Sequence, residues 1–341
     1  LPEEEIFKYF ELLRKTLSGS LGKNLLNLDF PLASEQEGGT QAALLALRDS
    51  KLKDDALIEE FYDRVINTYE YVGNYLILLI HDAYDVPGKT TDGLTMDDAS
   101  DTVFEYIMCC ICPVNLSKPG LSYDNINNEF HNRIRDWVVE MPETGFLFPS
   151  FNDRATDIHS TLFYSKNPEE AHSEFVENIL GCTMPLSAGT QKEAFQALIE
   201  ETLGDEVEYE VVKNIHENLT EMIEEHKEIP EPLTLDKHQV KSLFEKSGVK
   251  EEKLTDFDKL YDAAAGEDTS LFVNNVANVR TFEVKTPDVV IKVNPERADL
   301  VNTLQIDGKR CLVIEINDHV EVNGITIHQG VSLEDVADEE E

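Results

Sequence analysis

Positive charge is what this sequence has least of: 29 Lys and Arg stand against 68 Asp and Glu, a formal net charge of −39. A field of that sign repels phosphate backbones and anionic lipid, so direct binding to nucleic acid or to a membrane surface is not expected. Cysteine is also sparse. Cys109, Cys110, Cys112, Cys182 and Cys311 are odd in number, and three crowd one apolar run where neighbours point to opposite faces. No disulfide framework follows, and a reducing cytoplasm fits best. No apolar run approaches the ~18 residues that cross a bilayer. The opening Leu1-Pro2-Glu3-Glu4-Glu5 lacks an initiator Met and the basic-then-apolar pattern of a secretory signal, so the chain is expected to begin inside a longer gene product.

With 41% hydrophobic residues in 341, there is ample material for a core, and the length calls for one large or two smaller domains. Two apolar segments organise the rest. Tyr75-Leu-Ile-Leu-Leu-Ile-His-Asp-Ala-Tyr-Asp-Val86 and Phe104-Glu-Tyr-Ile-Met-Cys-Cys-Ile-Cys-Pro-Val114 are joined by the polar connector Pro87 to Thr102. Both are rich in β-branched and aromatic residues. Their near-continuous apolarity predicts strands covered on both faces, at the centre of a sheet.

Helical spacing precedes them at Ile6, Phe10, Leu13 and Leu17, over Thr40 to Leu47, and at Leu57, Phe61, Val65 and Tyr69. After them, Trp137-Val-Val139 reads as a third strand. Gly145-Phe-Leu-Phe-Pro-Ser-Phe151 and Ile158-His-Ser-Thr-Leu-Phe-Tyr164 read as a hairpin, with Pro149 at an edge or bulge. From Asn167 the pattern turns helical and acidic: residues 169–268 hold 26 acidic and 9 basic residues, a balance of −17. Thr190-Gln-Lys-Glu193 has the capping-box form, a long amphipathic helix spans Val207 to Ile223, and two short helices surround Val240 to Phe244 and Leu254 to Tyr261. Strand patterns return at Thr281 to Val284, Val289 to Val293, Cys311 to Ile316 and Val320 to Ile327, the last turning at Asn323-Gly324.

The expected architecture is α+β. A mainly antiparallel central sheet is flanked by N-terminal helices over 1–166, followed by an acidic helical region over 167–268, a small C-terminal β unit over 269–330, and a disordered acidic tail over 331–341.

Catalytic signatures fail their context. Pro87-Gly-Lys-Thr90 lacks the preceding Gly and the following helix of a phosphate loop, and Asp92 to Asp101 lacks the alternating ligands and central Gly of a calcium loop. The cysteine triplet lacks zinc spacing, and Cys110 and Cys112 share a face opposite Cys109, which suits small apolar residues in a sheet core. What remains is a scatter of polar groups at strand ends: His81 and Asp85 on the first apolar segment, and Asp153, Asp157 and His159 around the hairpin. Imidazole and carboxylates brought to one sheet end could bind a divalent cation or exchange protons. Their spacing does not require convergence, and capping and ion pairing are the plainer roles. No cofactor and no metal site are expected.

Asn74-Tyr-Leu-Ile-Leu-Leu-Ile-His-Asp-Ala-Tyr-Asp-Val-Pro-Gly-Lys89 resembles a bacterial family known as domain of unknown function 4317. So do Cys112-Pro-Val-Asn-Leu-Ser-Lys-Pro-Gly-Leu-Ser-Tyr123, Gly145-Phe-Leu-Phe-Pro149 with Asn152-Asp-Arg154, and Asn294-Pro-Glu-Arg297. The resemblance extends over nearly the whole chain. Family members occur mainly in anaerobic Gram-positive bacteria, which implies a reducing cytoplasm, and the family brings no catalytic residue to carry over. In element order alone the chain is similar to bacterial nucleoid-associated proteins.

The sequence therefore leads to a non-catalytic binding or regulatory protein acting through a protein partner, basic in character because organised acid is the clearest surface feature. The alternatives are a metal-dependent or acid-base enzyme using His81, Asp85, Asp153, Asp157 and His159, and a nucleoid-associated protein recruited through partners.

Overall fold

A computed structural model describes residues 2–89, 95–96, 102–152, 155–204, 207–229, 231–278, 280–316 and 320–327. Asp153, Arg154, most of the acidic connector Asp92 to Asp101 and the acidic tail lie outside the described residues. The chain forms two compact units, Leu1–Ala194 and Phe195–Glu341. The fold is α+β, with an antiparallel central sheet and flanking helices.

In the first unit the helices are α1 (Glu3–Thr16), α2 (Thr40–Asp49), α3 (Asp55–Thr68) and α4 (Ser173–Phe175), the last continuing as a π-helical stretch, Val176–Leu180. The strands are β1 (Leu25–Asp29), β2 (Asn74–Val86), the pair β3 (Gly88–Lys89) and β4 (Thr95–Met96), then β5 (Thr102–Leu116), β6 (Leu121–Asp124), β7 (Glu129–Asn132), β8 (Trp137–Val139), β9 (Thr144–Phe148), β10 (Ser150–Asn152), β11 (Ala155–Asp157) and β12 (Ser160–Ser165). The main sheet runs β1-β12-β9-β5-β2, antiparallel throughout, and β8 pairs with the last residues of β5.

The register explains the composition. Leu26, Phe163, Phe146, Cys109 and Leu79 lie opposite one another across five strands and form one row on one face. Residues one step along, Leu25, Tyr164, Gly145, Cys110 and Leu78, form a row on the other. Period-two alternation sends neighbours to opposite faces, so Cys109 and Cys110 serve different cores. The first face packs against Leu44 and Leu47 of α2, Phe61 and Val65 of α3, and Phe175 to Leu180. The second meets Leu12 and Leu13 of α1, with Met108, Cys110, Cys112 and Leu147. All five cysteines are free, four of them buried.

Gly145 sits where α1 comes closest. A Cβ there would lie 2.5 Å from the Cys109 carbonyl oxygen and 2.6 Å from the Thr16 methyl. Absence of a side chain is what lets the helix lie on the sheet.

Two expectations change, and one strand is new. β5 is central and buried from Ile107 to Pro113, but β2, equally apolar, is the terminal strand, its residues 75–81 only half-buried. Apolar continuity reports what a strand could bury, not which neighbours it has found. The hairpin of 145–164 is interior rather than an edge: β9 lies between β12 and β5, and Pro149 separates it from β10 behind a cis Phe148–Pro149 bond. β1, only Leu25–Asp29, escapes the pattern because three Leu residues in five positions fit either period.

In the second unit, α5 (Ala188–Leu203, whose first turns belong to the first unit), α6 (Tyr209–Glu225), α7 (Lys237–Lys246), α8 (Phe257–Ala264) and α9 (Val273–Val276) accompany β13 (Thr234–Leu235) and β14 (Leu271–Phe272). Phe195, Phe244, Phe257 and Tyr261 form a chain of ring contacts at 5.3 to 6.2 Å. The expected start of α5 at Thr190 moves to Ala188, where the Ser187 hydroxyl accepts from the Thr190 amide at 3.1 Å. α7 carries the capping box instead, Asp236 with Gln239. Three separate hairpins follow: β15 (Phe282–Lys285) with β16 (Val290–Val293), β17 (Val301–Ile306) with β18 (Lys309–Ile314), and β19 (Val320–Val322) with β20 (Ile325–Ile327). Tyr209 on α6 donates to the Val301 carbonyl at 2.9 Å, tying the second hairpin to the helices.

Phe146 is fully buried in the first row. Phe146→Ala is expected to cost about 3–5 kcal/mol through lost transfer energy and a cavity. Gly145→Ala should cost about 1–3 kcal/mol through overpacking against α1. Urea denaturation measures both, and an unchanged midpoint for either would contradict the packing described.

Candidate functional site

His81 and Asp85 lie on β2. The His81 Nε2 stands 2.9 Å from Glu105 Oε1 on β5, and Lys51 Nζ reaches the same oxygen at 3.1 Å. Lys51, and after it His81, holds the Glu105 carboxyl below its ordinary range. Asp85, four residues further along β2, is exposed. His159 stands just before β12, and its carbonyl accepts from the Phe30 amide at 2.9 Å. β5 and β9 separate β2 from β12, so the His81 and His159 backbones are three strand spacings apart, about 14 Å. The two histidines do not share a site.

Asp157 and His159 do come together, in a turn. One Asp157 oxygen accepts from the His159 amide at 3.0 Å; the other accepts from Ser160 Oγ at 2.7 Å and Asn152 Nδ2 at 2.9 Å. Burial would raise this carboxyl, but the three hydrogen bonds outweigh it and hold the group low. The His159 ring turns instead to Glu35, Nδ1 to Oε1 at 2.5 Å, and that hydrogen bond raises its affinity for a proton. Each polar group here is committed to a neighbour that fixes the turn. Among the described residues, no three His, Cys, Asp or Glu side chains stand together to hold a metal ion.

A relay not visible in the sequence lies on the first face. Glu174 Oε1 is 2.9 Å from His172 Nδ1, and His172 Nε2 is 3.2 Å from the Tyr69 hydroxyl. With Nδ1–H donating to the carboxylate, Nε2 accepts from Tyr69. The phenol stays protonated: burial, then the Glu143 carboxylate, push it well up. Tyr69 also packs against Tyr71, Tyr75 and Phe175 at 5.4 to 6.2 Å. Tyr69 and His172 are 103 residues apart, and no local motif joins them.

A group of exposed apolar side chains lies elsewhere. β6 and β7 form a two-stranded arm in which Leu121, Tyr123 and Phe130 occupy one face and Ser122, Asp124, Glu129 and His131 the other. The Tyr123 and Phe130 rings touch at 5.2 Å, yet Phe130 is 72% exposed and Leu121 75%. Ile126 at the tip, Ile134 and Trp137, the chain's single Trp, are exposed as well. Asp124 shapes the tip by accepting from the Ile126 and Asn127 amides at 2.9 and 3.3 Å. Residues 116–139 hold three basic and three acidic side chains, a neutral stretch in a chain of −39. The signal was present as alternation through Leu121-Ser-Tyr123, but Pro119-Gly120 beside it reads as a loop.

The architecture defines an α+β protein that carries a two-stranded arm with exposed apolar side chains. The chain belongs to the family described as Domain of unknown function (DUF4317), whose model matches residues 1–325. No curated protein and no solved structure matches it. No helix among the described residues is long and apolar enough to cross a membrane.

The Glu35 contact predicts that His159 titrates above the ordinary value of about 6.5, and that Glu35→Gln brings it down. The pair contributes stability fully at pH below the free imidazole value, and this is lost as pH rises through the raised one. Asp157 works in the other direction, contributing above the ordinary carboxyl value and losing that as pH falls through its lowered one. Imidazole NMR titration checks the first; a His159 curve indifferent to Glu35→Gln would contradict it.

Proposed function

We propose that this chain is a non-catalytic binding protein that engages a protein partner through the β6–β7 arm and the adjoining β8. The carrying observation is the solvent-facing apolar side of that arm, Leu121, Tyr123 and Phe130, with Ile126, Ile134 and Trp137 also exposed in the same stretch of chain. A two-stranded ribbon is marginal in water unless its apolar side is covered. Contiguous exposed apolar surface of this kind marks interaction sites, and Trp, Tyr and Phe are the residues that dominate their energetics.

The partner's chemistry follows from the surroundings. The arm is neutral, but the chain around it is strongly acidic, so an apolar groove rimmed by basic residues is the complement. Acid steers the encounter, and the arm supplies the short-range contact. Free cysteines accord with a reducing compartment, and we extend the reading to the cytoplasm. An acid-base or metal-dependent activity at His81, Asp85, Asp153, Asp157 and His159 has less geometry behind it, because His81 on β2 pairs with Glu105, whereas His159, in the turn before β12, pairs with Glu35.

Comparative capture from native lysate, with wild type beside Phe130→Asp, tests the reading. A partner retained by wild type should be lost by the variant, weaken as salt rises, and shift the Trp137 emission to the blue when added back. Equal recovery on both, with Trp137 emission unmoved, would overturn it. The substitution is on an exposed side chain, so thermal stability should be unchanged within about 0.5 kcal/mol.

A further inference from the structure

The terminal strand β2 poses a problem that the arm does not address. Its residues 75–80, Tyr-Leu-Ile-Leu-Leu-Ile, are apolar on both faces yet only half-buried on each, which leaves apolar area for a further neighbour to cover. Among the described residues its only strand partner is β5. Terminal strands are ordinarily guarded by Lys, Pro, a bulge or shortness, and β2 has none of these: thirteen residues pair with β5 without interruption. Beside its outer edge lies an open groove lined by Tyr62, Ile66, Gly73, Asn74, Tyr75 and Ile77. Ile66 is exposed, and Val72, at the strand's entry, is fully so.

We infer that β2 is the self-pairing edge of a homodimer, in which a second copy of this chain supplies the missing neighbour and the sheet runs continuously through a two-fold axis. The strand's own charge layout selects the occupant. Carboxylates occur only at its far end, Asp82 and Asp85, with none from Val72 to Ile80. An antiparallel copy therefore sets each apolar run against the other and carries each pair of carboxylates past the apolar run to the partner's entry, where Val72 lies. No carboxylate meets a carboxylate along the paired run. A second copy brings that layout already reversed.

Alternation narrows the register. A two-fold axis perpendicular to a sheet keeps side chains on their own faces, and opposite residues share a face, so one residue must sit opposite itself. Ile77 and Leu78 are the centres that keep the run 75–80 within the overlap. A strand edge alone falls short of the ~800 Å² per partner typical of stable interfaces, and the α3 groove with Ile66 and Val72 adds apolar area on the same side. Each copy carries −39, so the pairing works against net repulsion and should tighten as salt screens it.

Sedimentation equilibrium of the full chain tests this. A dimer is expected whose dissociation constant falls between about 50 mM and about 500 mM NaCl, because the Debye length shrinks. Val72→Asp, placed beside the partner's Asp82 and Asp85, should weaken it at least tenfold, and Val72→Lys should tighten it. In a Cys110→Ala, Cys311→Ser background, which removes the thiol of β5 that lies opposite position 78, Ile77→Cys or Leu78→Cys should form an intermolecular disulfide with copper phenanthroline. Two thiols then give up two protons and two electrons to the oxidant. Residues opposite themselves in such a pair stand about 4.5–5.5 Å apart, within disulfide reach. A chain monomeric at high salt overturns the inference. So does a dimer indifferent to Val72 charge and cross-linked at neither position, and so does a dimer lost in Phe130→Asp, which would place the contact on the arm.

Discussion

The first unit depends on one strand, β5, whose middle is covered on both sides and on both faces. β5 pairs with β2 along one side and with β9 and then β8 along the other, and from Ile107 to Pro113 both its faces are buried. Backbone amides taken out of water cost free energy unless paired, and β5 meets that requirement on both sides. Its side chains then split into two cores. Ile107, Cys109 and Ile111 join the Phe146, Phe163 and Phe175 cluster; Met108, Cys110 and Cys112 meet α1.

Unequal cover on the two faces follows from what packs there. Three helical segments close the first face, whereas α1 alone contributes helix residues to the second core; β2 stays partly buried on both, Tyr75, Ile77 and Leu79 on the first and Leu76, Leu78 and Ile80 on the second. Past Val114, β5 runs out of the main sheet and holds only β8, and the chain between them emerges as the arm. Exposed apolar surface thus appears where the central strand's two-sided cover ends. Both proposed interaction surfaces lie at the sheet's limits.

How much of this could be read in advance differed by element. Long helices with a clear stripe, such as Leu57, Phe61 and Val65 in α3, were legible because 3.6-residue spacing has few rivals. β2 and β5 were legible as strands, but their order was not, since a strand's composition does not name its neighbours. β1 was too short to show a period. Turn chemistry explains the candidate site: Asp157 and His159 looked like paired chemistry because Asp and His suit both catalysis and tight turns, and here hydrogen bonds to Ser160, Asn152 and Glu35 engage them. The Tyr69–His172–Glu174 relay depends on tertiary contact and leaves no local trace.

The central claim is that a doubly covered strand anchors an otherwise incompletely covered unit. Residue-resolved hydrogen exchange on the isolated chain at low concentration tests it most directly. Amides of residues 107–112 should exchange only through global unfolding, while those of the arm, 121–132, exchange orders of magnitude faster through local opening. Protection of the arm equal to that of β5, or piecemeal exchange along β5, would contradict the account.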